Sequence, residues 1–165
     1  MSPSSGSEPE AFHQHDHGAC RGQALAAVEA ACRARRLRLT PARAFVLGAL
    51  LESHRAMTAY EVLERLAAEG LGSQPPIAYR ALDFLVENGF AHRIERLGAF
   101  VACARAGSDH LAAFLVCRAC RRVAETPLPR GSREVIAEAA AGGFAVEKLV
   151  VEAEGLCERC REAGA

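Results

Sequence analysis

The chain has 165 residues, with 20 basic and 20 acidic side chains, so its net charge is zero and no bulk attraction to nucleic acid or membrane is built into it. Half the residues are hydrophobic, which excludes wholesale disorder, and the length fits one ordinary domain or two small ones. No apolar run approaches the roughly 20 residues that span a bilayer. The opening stretch MSPSSGSEPEAFHQHDHGAC has no basic residue before Arg21 and no apolar segment of the signal-peptide kind. A cytoplasmic setting is therefore expected. In a reducing compartment the seven cysteines bind metal or stay free rather than pair.

Residues 1–20, rich in Ser, Gly, Glu and His, read as a flexible arm. From Gln23 to Arg36 the apolar positions Leu25, Val28, Ala31 and Cys32 recur at helical spacing. Thr40-Pro41 is an N-cap followed by proline at the first helical position, opening a helix with Phe45, Val46, Ala49 and Leu50 on its apolar face. Thr58-Ala-Tyr-Glu61 is a capping box for a third helix that stops at Gly70. Pro75-Pro76 starts a fourth, ending at Gly89, with Ile77, Ala81, Leu82, Leu85 and Val86 as its buried stripe. Two short strands near 91–96 and 99–104 follow, joined by a tight turn at Leu97-Gly98. Helices followed by a hairpin make a winged helix-turn-helix.

Beyond a boundary near 104–109 the pattern changes. Strands are expected near 112–117 and 122–126, a helix around 131–142 ended by Gly142-Gly143, and a strand near 145–153. This is a small α+β unit. Charge is also unevenly spread. No acid lies between Glu29 and Glu52, where Arg33, Arg35, Arg36, Arg38 and Arg43 fall, and none lies between Gly70 and Leu82, where Arg80 falls. Such runs are usually solvated faces, but on a helix-turn-helix they read as a phosphate-facing surface.

Cys117-Arg-Ala-Cys120 and Cys157-Glu-Arg-Cys160 are two CxxC pairs. Each CxxC turn aims two sulfurs at one point, and two turns supply the four thiolates of a tetrahedral zinc site. The site would staple the chain end to the sheet of a unit too small to hold itself strongly. Four buried free cysteines, an iron site or a redox dithiol are the weaker readings, since no thioredoxin-like βαβ pattern surrounds either pair. Cys32 belongs to a helix's apolar stripe and reads as core. Cys20 stands with His13, His15 and His17, a set that is either a third, weak zinc site or simply a polar arm.

Taken in order, Leu39-Thr-Pro-Ala-Arg43, Pro75-Pro-Ile-Ala-Tyr-Arg-Ala-Leu-Asp-Phe-Leu85, Gly89-Phe90-Ala-His92 and the two CxxC pairs resemble the ferric uptake regulator family, and within it the zinc uptake regulator branch. The resemblance spans about residues 22–162. Beside the arm over 1–20, it implies a winged-helix DNA-binding domain over 21–104 that includes wing and hinge, and a dimerisation domain over 105–165. It implies a structural zinc on Cys117, Cys120, Cys157 and Cys160, and a second, regulatory zinc on His92, Cys103, His110 and Glu125. That second set is chemically coherent, with a soft thiolate favouring zinc over ferrous iron or manganese. The segment before the first CxxC, Ala106-Gly-Ser-Asp-His110, lacks the several histidines of iron- and peroxide-sensing relatives.

The resemblance also implies a homodimer on palindromic double-stranded operator DNA, repressing zinc uptake genes with two zinc ions per subunit. Arg80 is expected to contact guanine, Tyr79 a phosphate or thymine methyl, Tyr60 the DNA nearby, and Arg43 a phosphate. For the two tyrosines the alternative is packing at the edge of the core. An iron- or peroxide-responsive regulator is the nearest alternative function. A zinc-ribbon adaptor would account for the four cysteines but not for the winged-helix half. A metalloenzyme is disfavoured, because four ligands leave no open position and no HExxH motif is present. No small-molecule substrate or membrane partner is expected.

Overall fold

The computed structural model describes residues 17–106 and 110–165, with side chains described from Arg21 onward. Helix α1 (His17–Ala34) begins six residues before the predicted Gln23 start, inside the segment read as an arm. His17 and Cys20 thus fall on its first turn, whereas His13 and His15 lie outside the described residues. Helix α2 (Pro41–Leu51) starts where Thr40 accepts from the Arg43 N–H, with Pro41 at the first helical position. A two-residue strand, β1 (Met57–Thr58), leads into α3 (Ala59–Ala68). The capping box forms as expected. Thr58 Oγ1 accepts from Glu61 N at 3.2 Å, and Glu61 Oε2 accepts from Thr58 N at 2.7 Å.

Helix α4 (Pro75–Glu87) buries Ala78, Ala81, Leu82, Phe84 and Leu85. Ile77 and Val86, expected in the stripe, are only half-buried, and Phe84 takes a core position the expected stripe omitted. The chain leaves α4 through Gly89 at φ 72°, left-handed backbone that glycine adopts without a Cβ clash. The wing comprises β2 (Ala91–Ile94), a 3-10 turn over Glu95–Leu97, Gly98 at φ 55°, and β3 (Ala99–Ala102). With β1 it forms an antiparallel sheet in the order β1-β3-β2. The helices and this sheet enclose a core with Val46, Leu47, Leu50, Leu66, Leu82, Leu85 and Phe90 at its centre.

The second unit is built on β4 (Ala112–Cys117), β5 (Val123–Pro127) and β6 (Val151–Gly155), in the order β5-β4-β6. β4 runs antiparallel to β5 and parallel to β6. β5 returns the chain to the starting end of β4, and helix α5 (Arg130–Ala141) lies in the connection from there to β6. The last strand is expected from 145, yet pairing begins only at Val151, opposite Ala113. A short helix, α6 (Glu158–Glu162), closes the chain.

The two sheets share a core. Ala56, Ile94, Ala99 and Val101 from the first unit pack with Phe114, Val116 and Val123 from the second. At one edge, the backbone of 54–56 bonds to that of 121–123, through Ala56 N to Arg121 O at 3.0 Å and Val123 N to His54 O at 2.8 Å. Among the described residues no helix is long and apolar enough to cross a membrane.

Candidate metal centres and nucleic-acid face

The two CxxC pairs meet. Cys117 ends β4, Cys120 lies in the knuckle after it, Cys157 caps α6 and Cys160 lies within it. The four sulfurs all lie within 4.8 Å of one another, and Cys120 Sγ is 3.8 Å from Cys157 Sγ. Sulfurs set about 2.3 Å from a tetrahedral zinc are about 3.8 Å apart, the spacing the Cys120–Cys157 pair already has. Burial alone would raise the Cys117 thiol. The N–H groups of Cys120, Cys157 and Ala119 outweigh it and bring the thiol down to about 6. Cys160 moves the other way, its sulfur held among those of Cys157, Cys120 and Cys117. The backbone thus favours one thiolate, and full ionisation of four crowded sulfurs calls for a cation at their centre.

The second set lies between the two units. His92 is on β2, Cys103 just follows β3, His110 precedes β4 and Glu125 is on β5. Their donor atoms again all lie within 4.8 Å of one another. His110 Nε2 is 2.6 Å from Glu125 Oε1 and 3.6 Å from Cys103 Sγ. Ala104 N donates to Glu125 Oε2 at 2.9 Å. His92 Nε2 lies 3.4 Å from the same oxygen but forms no hydrogen bond, although it is sealed from water. A buried ring nitrogen that makes no hydrogen bond is costly unless something else occupies its lone pair. A metal ion at the centroid of the four donors would do so, and a His₂CysGlu set suits tetrahedral zinc.

Electrostatics point the same way. Burial, followed by the Glu125 carboxylate, pushes the Cys103 thiol up to about 12. Burial would raise Glu125 too, but the His92 imidazole, the Ala104 N–H and His110 draw it down to about 2. The site therefore holds one carboxylate and a proton on sulfur that a cation would displace. Arg105 Nε, 3.7 Å from Glu125 Oε1, borders the cluster on the solvent side. Nothing in its spacing marked it out from the sequence.

The helix-turn-helix face carries the expected side chains unevenly. Tyr60 and Tyr79 are 68% and 54% exposed, too open for edge-of-core packing, and Arg80 is exposed beside Tyr79. Arg43 is differently placed. Its guanidinium lies 3.7 Å over the Phe84 ring, and Nη1 donates to Arg38 O at 2.7 Å. Arg35 is likewise engaged, reaching Asn88 Oδ1 at 2.9 Å and Asn88 O at 3.0 Å. Arg33, Arg36 and Arg38 are exposed.

A winged-helix unit presenting Tyr79 and Arg80 on an open helix, tied to a second unit through metal-donor side chains, defines the class of metal-linked transcription regulators. No protein-family model matches the chain. The zinc uptake regulation protein of Escherichia coli (strain K12) is 38% identical over 140 residues, covering 84% of this chain and 81% of that protein. The chain belongs to the zinc uptake regulator branch of the ferric uptake regulator family. A zinc uptake regulator complexed with zinc and DNA superposes with a TM-score of 0.80 at 36% identity, covering 87% of this chain and 97% of that one. Holo XcZur gives a TM-score of 0.75 (86% and 97% covered) and apo XcZur 0.50 (87% and 99% covered), both at 39% identity.

Proposed function

We propose that this chain is a zinc-responsive repressor whose zinc-loaded homodimer binds palindromic double-stranded operator DNA and controls zinc uptake genes in the cytoplasm. The observation that carries the reading is the inter-unit cluster, with four zinc-compatible donors gathered from both units, among them a buried His92 Nε2 that makes no hydrogen bond and lies 3.4 Å from Glu125. On this reading His92, Cys103, His110 and Glu125 hold the regulatory zinc, and Cys117, Cys120, Cys157 and Cys160 the structural one, giving two per subunit. A third, weak site on His13, His15, His17 and Cys20 rests on residue type alone. When bound, zinc supplies a link between side chains of the two units.

The rest is done by the protein's own groups. His92 and Cys103 lie on or beside the wing strands, and His110 and Glu125 on the sheet unit, so gathering them fixes one inter-unit angle. That angle sets how far apart two recognition helices stand in a dimer, and hence whether they match two half-sites. Arg80 and Tyr79 on α4 are open to base edges and phosphates, and Tyr60 is exposed at the start of α3. Regulation is then a population shift toward the gathered arrangement. The comparison with XcZur supports this. At equal identity and similar coverage, this chain's arrangement is closer to the holo form than to the apo form. We divide the chain into an arm (1–20), whose last four residues already belong to α1, a DNA-binding unit (21–104) and a dimerisation unit (105–165).

Dimerisation is supported by apolar surface on the second unit. Helix α5 is amphipathic yet buries no residue, and Val135, Phe144, Val150 and Leu111 are exposed at 55%, 67%, 38% and 53%. Covering that much apolar surface on one unit favours a self-complementary partner, a second copy. The test is metal analysis of the purified protein, followed by operator shift assays with zinc, manganese and ferrous iron. Zinc-selective operator binding by a dimer is expected. Binding that responds to iron or manganese but not to zinc would overturn the assignment.

A further inference from the structure

Outside the two donor sets, a group of polar contacts joins the units at the wing. Glu152, on β6, directs both carboxylate oxygens at the backbone of the wing turn. Oε1 accepts from Glu95 N at 2.7 Å and Oε2 from Arg96 N at 2.9 Å. Two residues on, Glu154 takes the Arg96 guanidinium at 2.9 and 3.3 Å. Lys148, from the segment before β6, reaches Glu95 at 2.7 Å. Under these bonds lies the shared core, with Ile94 and Ala99 fully buried on either side of the turn. Adjacent backbone N–H groups at a turn form a ready anion site. Here an internal carboxylate fills it.

Register ties this contact to the inter-unit donor set. Phe114 of β4 is paired with Glu125 on one side and Glu152 on the other, so the three share one row and one face of the sheet. His92 packs on the Phe114 ring, with centroids 4.9 Å apart. The hairpin whose turn Glu152 grips carries His92 on its first strand and Cys103 just after its second. Holding the turn therefore holds both donors over His110 and Glu125.

We infer that Glu152 is a positioning residue that clamps the wing to β6, favours the gathered arrangement before any metal binds, and so sets the free-zinc concentration at which the regulator takes up DNA. The inference rests on the zinc-responsive reading above. It also assigns the wing-turn amides to the protein's own sheet rather than to a DNA phosphate.

The experiment compares parent, Glu152→Gln and Arg96→Ala as full-length dimers, each checked for unchanged mass and four-cysteine zinc content. Hydrogen exchange of the peptide containing Glu95 and Arg96 reads the clamp. Operator binding against buffered free zinc reads its consequence. Glu152→Gln should exchange faster at the turn and raise the zinc midpoint by about tenfold, the scale of losing hydrogen bonds to a charged acceptor. Affinity at saturating zinc should stay within about twofold of the parent, because excess ligand restores the gathered population. Arg96→Ala, which loosens the clamp from the other side, should shift the midpoint the same way by less, and it stands in if Glu152→Gln fails to fold. Faster exchange with an unmoved midpoint would overturn the positioning role, and unchanged exchange would overturn the clamp itself. A parent whose operator binding ignores zinc would instead overturn the functional reading, and the claim about the zinc threshold with it.

Discussion

Arg43 and Arg80 both come from acid-free stretches of the chain, yet their surroundings give them different work. Arg43 is stacked on Phe84 and bonded to the Arg38 carbonyl, so it joins the start of α2 to α4. Arg43→Ala should therefore lower stability by about 1 kcal/mol, visible as a reduced melting temperature, besides any phosphate contact it removes. Arg80 is exposed on α4. Arg80→Ala should leave the melt unchanged but cost roughly 1–3 kcal/mol on operator DNA and relax preference at one base pair. Thermal melts alongside operator titrations separate the two, and an Arg80→Ala protein that binds operator like the parent would contradict the placement of the recognition helix. Charge runs in the sequence put both arginines on one basic face. They could not register that Phe84, on another helix, would capture one of them, because cross-helix contacts leave no periodic signal.

At the scale of elements, local chemistry carries far. Thr58→Ala should cost about 1 kcal/mol, the usual worth of an N-cap, measurable by denaturant titration. The Glu61 carboxyl is held below its ordinary value, first by the Thr58 N–H and further by Thr58 Oγ1 and Arg121. A depressed carboxylate stabilises fully above its unfolded value and loses that contribution as pH falls through the folded one. The stability gap between parent and Glu61→Ala should thus be widest near neutrality and close as pH drops below 4.5. A gap that widened in acid would contradict the capping role. Such caps, prolines and helical stripes made α2, α3 and α4 legible from sequence. Strand β1 was not, since two residues carry no alternation and form a strand only because β3 offers them a partner. The start of β6 was misjudged for a related reason. Residues 145–150 are apolar enough for a strand, but the paired stretch of β4 starts at Ala113, and Val151 is the first residue to meet it. Pairing, not hydropathy, decides where a strand begins.

For the whole molecule, the proposed function gives the two donor sets separate tasks. The four-cysteine set lies within the second unit and was legible as a motif, because CxxC spacing is itself the geometry. Cys117→Ser should release its zinc and unfold or dissociate that unit, since structural zinc contributes on the order of 10 kcal/mol. Zinc content and sedimentation check this, and a stable dimer with unchanged zinc would contradict it. The other set could be grouped only by resemblance. Its members are scattered from His92 to Glu125, and what unites them is a hairpin laid over a sheet, which no local pattern encodes. Cys103 is its one sulfur, and serine there offers a neutral hydroxyl in place of an anionic ligand. The most direct test is operator affinity as a function of buffered free zinc for parent and Cys103→Ser. The account predicts a folded, dimeric Cys103→Ser protein that keeps its four-cysteine zinc and loses most zinc-dependent DNA binding. An unchanged zinc midpoint would contradict it and move zinc sensing away from the inter-unit site.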